Sequence, residues 1–177
     1  MEILFPYSEP RKVQKALIAQ IQSCIENRQN LIVHAPTGLG KTAAILSITL
    51  PYAIKNKLTV FFITPKHSQH YIAIETLKEI KSKYNLDFQV VDLIGKKHMC
   101  LQPGVEALQN SEFLEYCKDL RKHDHCEFYL NFKDNALKEM CLKQMQDPLH
   151  VENLKQICRD FSLCPYEMAA LLGKKAE

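Results

Sequence analysis

Along the first 95 residues the apolar positions switch between two spacings. Val13, Leu17, Ile21, Cys24 and Ile25 recur at helical spacing, with Gln14, Lys15, Gln22 and Glu26 on other faces, so an amphipathic helix is expected over 10–27. Residues 31–34 form a short apolar run that reads as a buried strand, and 41–55 read as a helix that Pro51 should kink or end early. Residues 58–63 are continuously apolar, as a central parallel strand would be. A further helix is expected over 69–83, capped by Ser68, with Ile72, Ile74, Leu77 and Ile80 on its apolar stripe. Residues 88–94 read as a third strand, closed by Gly95. Strands alternating with helices imply a parallel sheet with right-handed crossovers. Ligands of such sheets sit at the carboxyl ends of the strands. The loop after 31–34 and the turn at 64–69 are therefore expected on one edge.

After Gly95 the pattern changes. Pieces over 111–122, 127–145, 150–160 and 165–173 have helical spacing, separated by turns at His123-Asp124 and Asp147-Pro148. Their internal hydrophobicity is low, so a bound metal centre would do much to hold them together. The expected class is α/β, with a P-loop parallel sheet over 1–95 and an α-rich, cysteine-bearing unit over 96–177.

Charge alters this picture little. The chain carries 23 Lys and Arg against 20 Asp and Glu, a mild excess that permits nucleic-acid binding without arguing for it. No apolar run approaches the roughly 20 residues that span a bilayer, and the first residues lack a basic and apolar leader pattern. An intracellular protein is expected: cytoplasm or nucleoid, or nucleus in a eukaryote.

The first candidate chemistry is His34-Ala35-Pro36-Thr37-Gly38-Leu39-Gly40-Lys41-Thr42, set between a strand-like and a helix-like run. Gly38 and Gly40 permit backbone angles that turn successive N–H groups toward phosphate oxygens. The helix beginning near Lys41 adds its positive end. Lys41 is placed to reach the β- and γ-phosphates, and the Thr42 hydroxyl to ligate Mg²⁺. Ala35 stands at the first glycine of the usual pattern.

Cysteine is the second. There are seven, and six of them (Cys100, Cys117, Cys126, Cys141, Cys158 and Cys164) fall after Gly95. In a reducing compartment such a cluster points to metal or iron–sulfur chemistry. No Cys-x-x-Cys pair is present. The candidate ligands are Cys100, Cys117, Cys126 and Cys164, able as thiolates to hold zinc or a [4Fe–4S] cluster. Spacing alone leaves Cys141 and Cys158 open. Cys158 shares an apolar face with Leu154 and Ile157, where a cysteine serves as a small core residue.

These pieces together resemble the iron–sulfur DNA helicases of superfamily 2, typified by the xeroderma pigmentosum group D helicase, with its archaeal homologues and DinG-like relatives. Phe5-Pro6-Tyr7 with Gln14 resembles the family's opening motif, whose Gln region contacts adenine. Ala35–Thr42 resembles helicase motif I, and Thr64-Pro65-Lys66-His67-Ser68-Gln69 resembles motif Ia. Gly95-Lys96-Lys97-His98-Met99-Cys100, Cys126-Glu127-Phe128-Tyr129 and Cys164-Pro165-Tyr166 resemble the segments around the first, third and fourth cluster cysteines, with Cys117 as the second. Cys141 and Cys158 have no counterpart. Pro65-Lys66 departs from the usual motif Ia pair but keeps a positive charge for a phosphate.

The resemblance implies an ATP-driven 5′→3′ translocase on single-stranded DNA or DNA forks, acting in DNA repair as a monomer, with other repair proteins as partners and no membrane. It implies ATP held by Gln14 and the loop residues Ala35, Pro36, Thr37, Gly38, Leu39, Gly40, Lys41 and Thr42. Mg²⁺ at Thr42 and a [4Fe–4S] cluster on Cys100, Cys117, Cys126 and Cys164 follow from it, as do backbone contacts to DNA from Thr64, Lys66, His67 and Gln69. The family's Asp-Glu-Ala-His box lies beyond its cluster domain, and these 177 residues contain no Asp-Glu pair. The chain is thus expected to be the first part of a longer helicase, binding nucleotide weakly and not turning it over alone. The alternative is a metal-bearing nucleic-acid-binding module with a vestigial P-loop.

Four further readings stay open in the sequence. Asp92, at the end of an apolar run, is a candidate Walker-B carboxylate. His123 and His125 are candidate zinc ligands beside Cys126. Phe128, Tyr129 and Phe132 have the spacing of a small core or of a base-stacking face. Lys96, Lys97, Arg121 and Lys122 either line a DNA path or are ordinary surface.

Overall fold

The structure is a computed structural model that describes residues 2–145 and 148–175. The chain divides into two compact units, Met1–Phe88 and Gln89–Glu177.

The first unit is built on three helices, α1 (Lys12–Glu26), α2 (Lys41–Asn56) and α3 (His67–Tyr84). α2 packs against both of the others. The face of α1 that turns inward is Gln14, Leu17, Ile18 and Ile21, while Val13 is exposed. The apolar stripe expected through Val13 is therefore rotated by one residue, and the polar Gln14 occupies a core position at 5% exposure. Burying an amide costs free energy unless its hydrogen bonds are met. Here they are, by Arg11 N and by Gly40 O.

Pro51 neither ends nor shortens α2, which runs on to Asn56 with Pro51 buried inside it. A proline removes the N–H that would bond the carbonyl four residues back. That carbonyl belongs to Ser47, and it accepts the Leu4 main-chain N–H at 2.8 Å instead. The opening segment is held at its next residue too, where Lys83 Nζ and Tyr84 Oη both donate to Phe5 O at 2.9 Å. Leu4 and Phe5 are thereby buried, Phe5 among Leu17, Ile18, Ala44 and Ile48.

α3 begins two residues earlier than the sequence suggests. Lys66 is its N-cap residue, Ser68 lies inside the first turn, and Ile72 is exposed while Ala73 and Thr76 share the buried face with Ile74, Leu77 and Ile80. Asn85, in the left-handed region at φ 48°, closes the helix as expected of a turn residue.

The three apolar runs read as strands form no ladder among the described residues. Ile32, Phe61 and Ile63 are 98%, 83% and 89% exposed. A parallel strand is stable only beside other strands and under cover on both faces. The runs at 31–34 and 58–63 have neither here, so the expected sheet, and the shared edge that rested on it, are absent from the described residues. The one remnant is an isolated parallel bridge between Val91 and Leu149, in the second unit.

The second unit is helical, as expected: α4 (Lys96–Met99), α5 (Asn110–Lys122), α6 (Glu127–Asn131), α7 (Asn135–Lys143), α8 (Val151–Asp160) and α9 (Pro165–Lys175). The piece expected over 127–145 is broken in two, because Asp134 turns its carboxylate onto the N–H groups of Ala136 and Leu137 and starts α7. His123 ends α5 and Asp124 takes a left-handed φ of 55°, so the turn expected there is present. The turn expected at Asp147-Pro148 lies outside the described residues at Asp147. Contrary to its low hydrophobicity, the unit has a core of its own: Ile94, Met99, Cys141, Val151, Leu154, Cys158, Leu163, Met168 and Ala169 are buried together.

Candidate functional site

The glycine-bearing loop over 35–42 belongs to the first unit. Gly38 and Gly40 both hold left-handed angles, φ 79° and 81°, the conformation for which glycine is needed. Gly40 leads into α2, whose first turn closes with Ala44 N donating to Gly40 O at 3.1 Å. Lys41 folds its side chain back over the loop, and Nζ donates to Ala35 O at 3.0 Å and Pro36 O at 2.7 Å. A phosphate offers the same ammonium a charged acceptor in place of two neutral carbonyls. Leu39 packs on the apolar cluster under α2, while Pro36, Thr37 and Gly38 are exposed and Ala35 and Thr42 are half-buried. Gln14 meets the loop from α1, so two segments that the sequence separates by 26 positions are in contact.

The 64–69 segment forms the approach to α3. Thr64 Oγ1 donates to Lys66 O at 3.3 Å, and Gln69 N donates to the same oxygen at 3.0 Å. Lys66, His67 and Gln69 are exposed. His67 and His70 rings meet edge to face at 5.9 Å.

In the second unit, Cys100, Cys117, Cys126 and Cys164 line a single small cavity of about 30 Å³. Cys100 follows α4, Cys117 lies on α5, Cys126 begins α6 and Cys164 begins α9. Four helices from 65 residues of chain thus bring one thiol each to one place. The wall between them is tied by ions. Glu167 Oε1 takes Arg121 at 3.0 Å and Lys96 at 3.5 Å, joining α9 to α5 and α4. The Arg121 guanidinium also lies 3.8 Å over the Tyr129 ring of α6. Cys164 N donates to Phe128 O at 3.0 Å.

Three of the four cations considered for a DNA path are therefore engaged within the unit. Lys96 and Arg121 hold Glu167, and Lys97 Nζ donates to Leu108 O. Lys122 is exposed. Phe128 and Tyr129 line the cavity and Phe132 packs on the core, so all three serve the interior. His123 pairs with Asp119 at 3.1 Å, and neither it nor His125 lines the cavity.

Burial raises two of these thiols. Burial pushes Cys164 up to about 11, against the pull of the Glu167 and Tyr166 main-chain N–H groups at the start of α9. Burial raises Cys100 as well, the Gln102 main-chain N–H draws it back, and the neighbouring Cys117 and Cys126 raise it again. Among the described residues no three His, Cys, Asp or Glu side chains form a ready metal-ion site. The donor set nevertheless suits a thiolate-ligated group: four sulfurs on one cavity, N–H donors turned to Cys100, Cys126 and Cys164, and two cations on the rim.

Cys141 and Cys158 do not reach this cavity. Both are fully buried in the core as free thiols. Asp92 is likewise spent on structure. Its buried carboxylate accepts Val151 N at 2.9 Å and caps α8, with His150 Nε2 at 3.8 Å. Gln102 and Glu167 were the site residues that periodicity and spacing did not expose, since neither carries a spacing signal of its own.

Residues 62–177 match the DEAD_2 family, which covers most of the chain and all four cavity cysteines. The chain belongs to the DEAD_2 family. It is 36% identical over 104 residues to a probable ATP-dependent helicase of Methanocaldococcus jannaschii, covering 58% of this chain and 15% of that protein. It is 24% identical over 189 residues to the helicase subunit XPD/RAD3 of general transcription and DNA repair factor IIH from Saccharomyces cerevisiae, covering 94% of this chain and 24% of that one. It is 21% identical over 218 residues to a regulator of telomere elongation helicase 1 homolog from Anopheles gambiae, covering 98% and 21%. The similarity to helicases of the XPD kind expected from the motifs is thus established, and the chain spans between 15% and 24% of the length of these relatives. Among the described residues no helix is long and apolar enough to cross a membrane.

Proposed function

We propose that this chain is the nucleotide-binding and cluster-bearing part of an ATP-dependent DNA helicase, moving 5′→3′ along single-stranded DNA in repair. Its family membership supports the helicase class. The observation that carries the finer reading is the meeting of Cys100, Cys117, Cys126 and Cys164 on one cavity while Cys141 and Cys158 stay in the core. Those four residues hold a [4Fe–4S] group, with residues 96–177 as its domain and 1–95 contributing to a RecA-like α/β motor domain. The group stiffens a small helical unit, as a multi-thiolate centre does.

ATP is bound by the loop from Ala35 to Thr42 and by Gln14, with Lys41 released from Ala35 O and Pro36 O to the phosphates and Thr42 on Mg²⁺. Thr64, Lys66, His67 and Gln69 contact the DNA backbone. Hydrolysis requires a carboxylate that positions water and metal. These 177 residues hold no Asp-Glu pair, so the isolated chain binds nucleotide without turning it over. The protein acts inside the cell on single strands or forks, as a monomer alongside other repair proteins.

The test is metal analysis and visible absorbance, without air, on the wild type and six single Cys→Ser variants. About four irons, lost on changing Cys100, Cys117, Cys126 or Cys164 and kept on changing Cys141 or Cys158, is the expected result. Stoichiometric zinc in a colourless protein would sink the cluster and favour a metal-bearing binding module.

A further inference from the structure

One side-chain amide donates to a cavity sulfur. Gln102 Nε2 lies 3.7 Å from Cys126 Sγ. Gln102 is half-buried, in the short turn between α4 and the 3₁₀ turn Val105–Ala107.

That turn is held from both ends, so the position of Gln102 is set before any ligand arrives. Cys100 N donates to Lys97 O at 3.2 Å and Ala107 N donates to Gly104 O at 3.2 Å. Lys97 Nζ reaches across to Leu108 O and closes the loop. The charged groups nearby are otherwise occupied, since Lys96 and Arg121 share Glu167. A neutral amide therefore meets the sulfur directly, where a cation would add a full charge.

We propose that Gln102 is a positioning residue for a thiolate-ligated group in this cavity, its side-chain amide holding the Cys126 sulfur and turning an N–H dipole on it. This rests on the reading of the four cysteines as ligands. Hydrogen bonds to the sulfurs are among the features that set the potential of such groups, because a donor stabilises the more electron-rich state. Partners of this kind also hold ligands in place, and their loss typically costs 10–100-fold in metal affinity.

Side-chain substitution leaves the main-chain N–H intact and so isolates the amide. Gln102→Leu removes the donor at similar size. Gln102→Glu keeps the shape and replaces the donor with an acceptor bearing charge. Both are made in the full chain, loaded with iron and sulfide without air, and compared with the wild type and Cys126→Ser. The expected result is iron content close to wild type in both, a lower reduction potential in both, and the larger drop for Gln102→Glu. A tenfold shift in a one-electron equilibrium corresponds to about 59 mV. Loss of iron to a chelator is expected to be about tenfold faster in Gln102→Leu. Wild-type potential and wild-type iron loss in both variants, with Cys126→Ser unable to load, would overturn the role of Gln102 alone. Failure of the wild type to load, with Cys126→Ser indistinguishable from it, would overturn the ligand reading and Gln102 with it.

Discussion

Gln14 Nε2 donates to Gly40 O at 3.4 Å, and a Cβ at position 40 would stand 2.3 Å from that nitrogen. The opening helix and the glycine-bearing loop are locked to one another through an amide and a missing side chain. The amide is completed at its other end by Arg11 N, at 2.8 Å from Gln14 Oε1.

Gly40→Ala is therefore expected to cost more than Gly38→Ala. Both glycines hold left-handed angles, and that strain is worth roughly 1–2 kcal/mol for a residue with a Cβ. A Cβ at position 38 meets nothing within 4 Å, whereas one at 40 must also displace Gln14. Urea unfolding should give about 1–2 kcal/mol for Gly38→Ala and about 1 kcal/mol more for Gly40→Ala. In a Gln14→Ala background the two should become equal. Equal costs in the wild-type background would refute the lock.

Asp92→Ala should destabilise the protein by about 1–3 kcal/mol, because it uncaps α8 inside a buried site. Asp92→Asn keeps an acceptor for Val151 N and should recover most of that loss. Neither should alter nucleotide affinity, read by titration with a fluorescent ATP analogue. A loss of affinity at unchanged stability would return Asp92 to the Walker-B role.

Cys141 and Cys158 sit fully inside the core as free thiols. Cys158→Ser exchanges a small apolar group for a hydroxyl in that setting, and should cost about 1–3 kcal/mol. Its iron content should match the wild type. Loss of iron at unchanged stability would bring Cys158 back among the candidate ligands.

The buried Cys164 thiol gives the metal-free chain a defined alkaline weakness. Its folded value is pushed up to about 11 from an ordinary 9.0, so the folded state keeps a proton that the unfolded chain has begun to lose. The stability from this group is complete below pH 9 and falls as the pH rises to about 11. Unfolding free energies across that range should decline more steeply in the wild type than in Cys164→Ala. Parallel curves would show that the thiol is not held neutral by burial.

The proposed site can be read from residue type because its chemistry acts at short range. Gly38, Gly40 and Lys41 suggest an anion loop through local backbone freedom and charge, and both glycines hold left-handed angles. The positions of α2 and α3 and the helical character of the second unit follow from periodicity, which is also local. The reading failed where a partner distant in sequence decided the outcome. Val13 lost the core position to Gln14 because Gly40, far along the chain, leaves room for an amide. Pro51 stayed inside α2 because Leu4 supplies the hydrogen bond that a proline forfeits. The apolar runs at 31–34 and 58–63 read as strands, but a strand exists only with a neighbour, and none pairs with them among the described residues. For the cysteines the division is the same. Spacing alone left Cys141 and Cys158 open beside the four candidate ligands, and the resemblance set them aside. The packing of four helices puts Cys100, Cys117, Cys126 and Cys164 on one cavity and Cys141 and Cys158 in a core. Residue chemistry is written locally, whereas burial and convergence are properties of the folded chain.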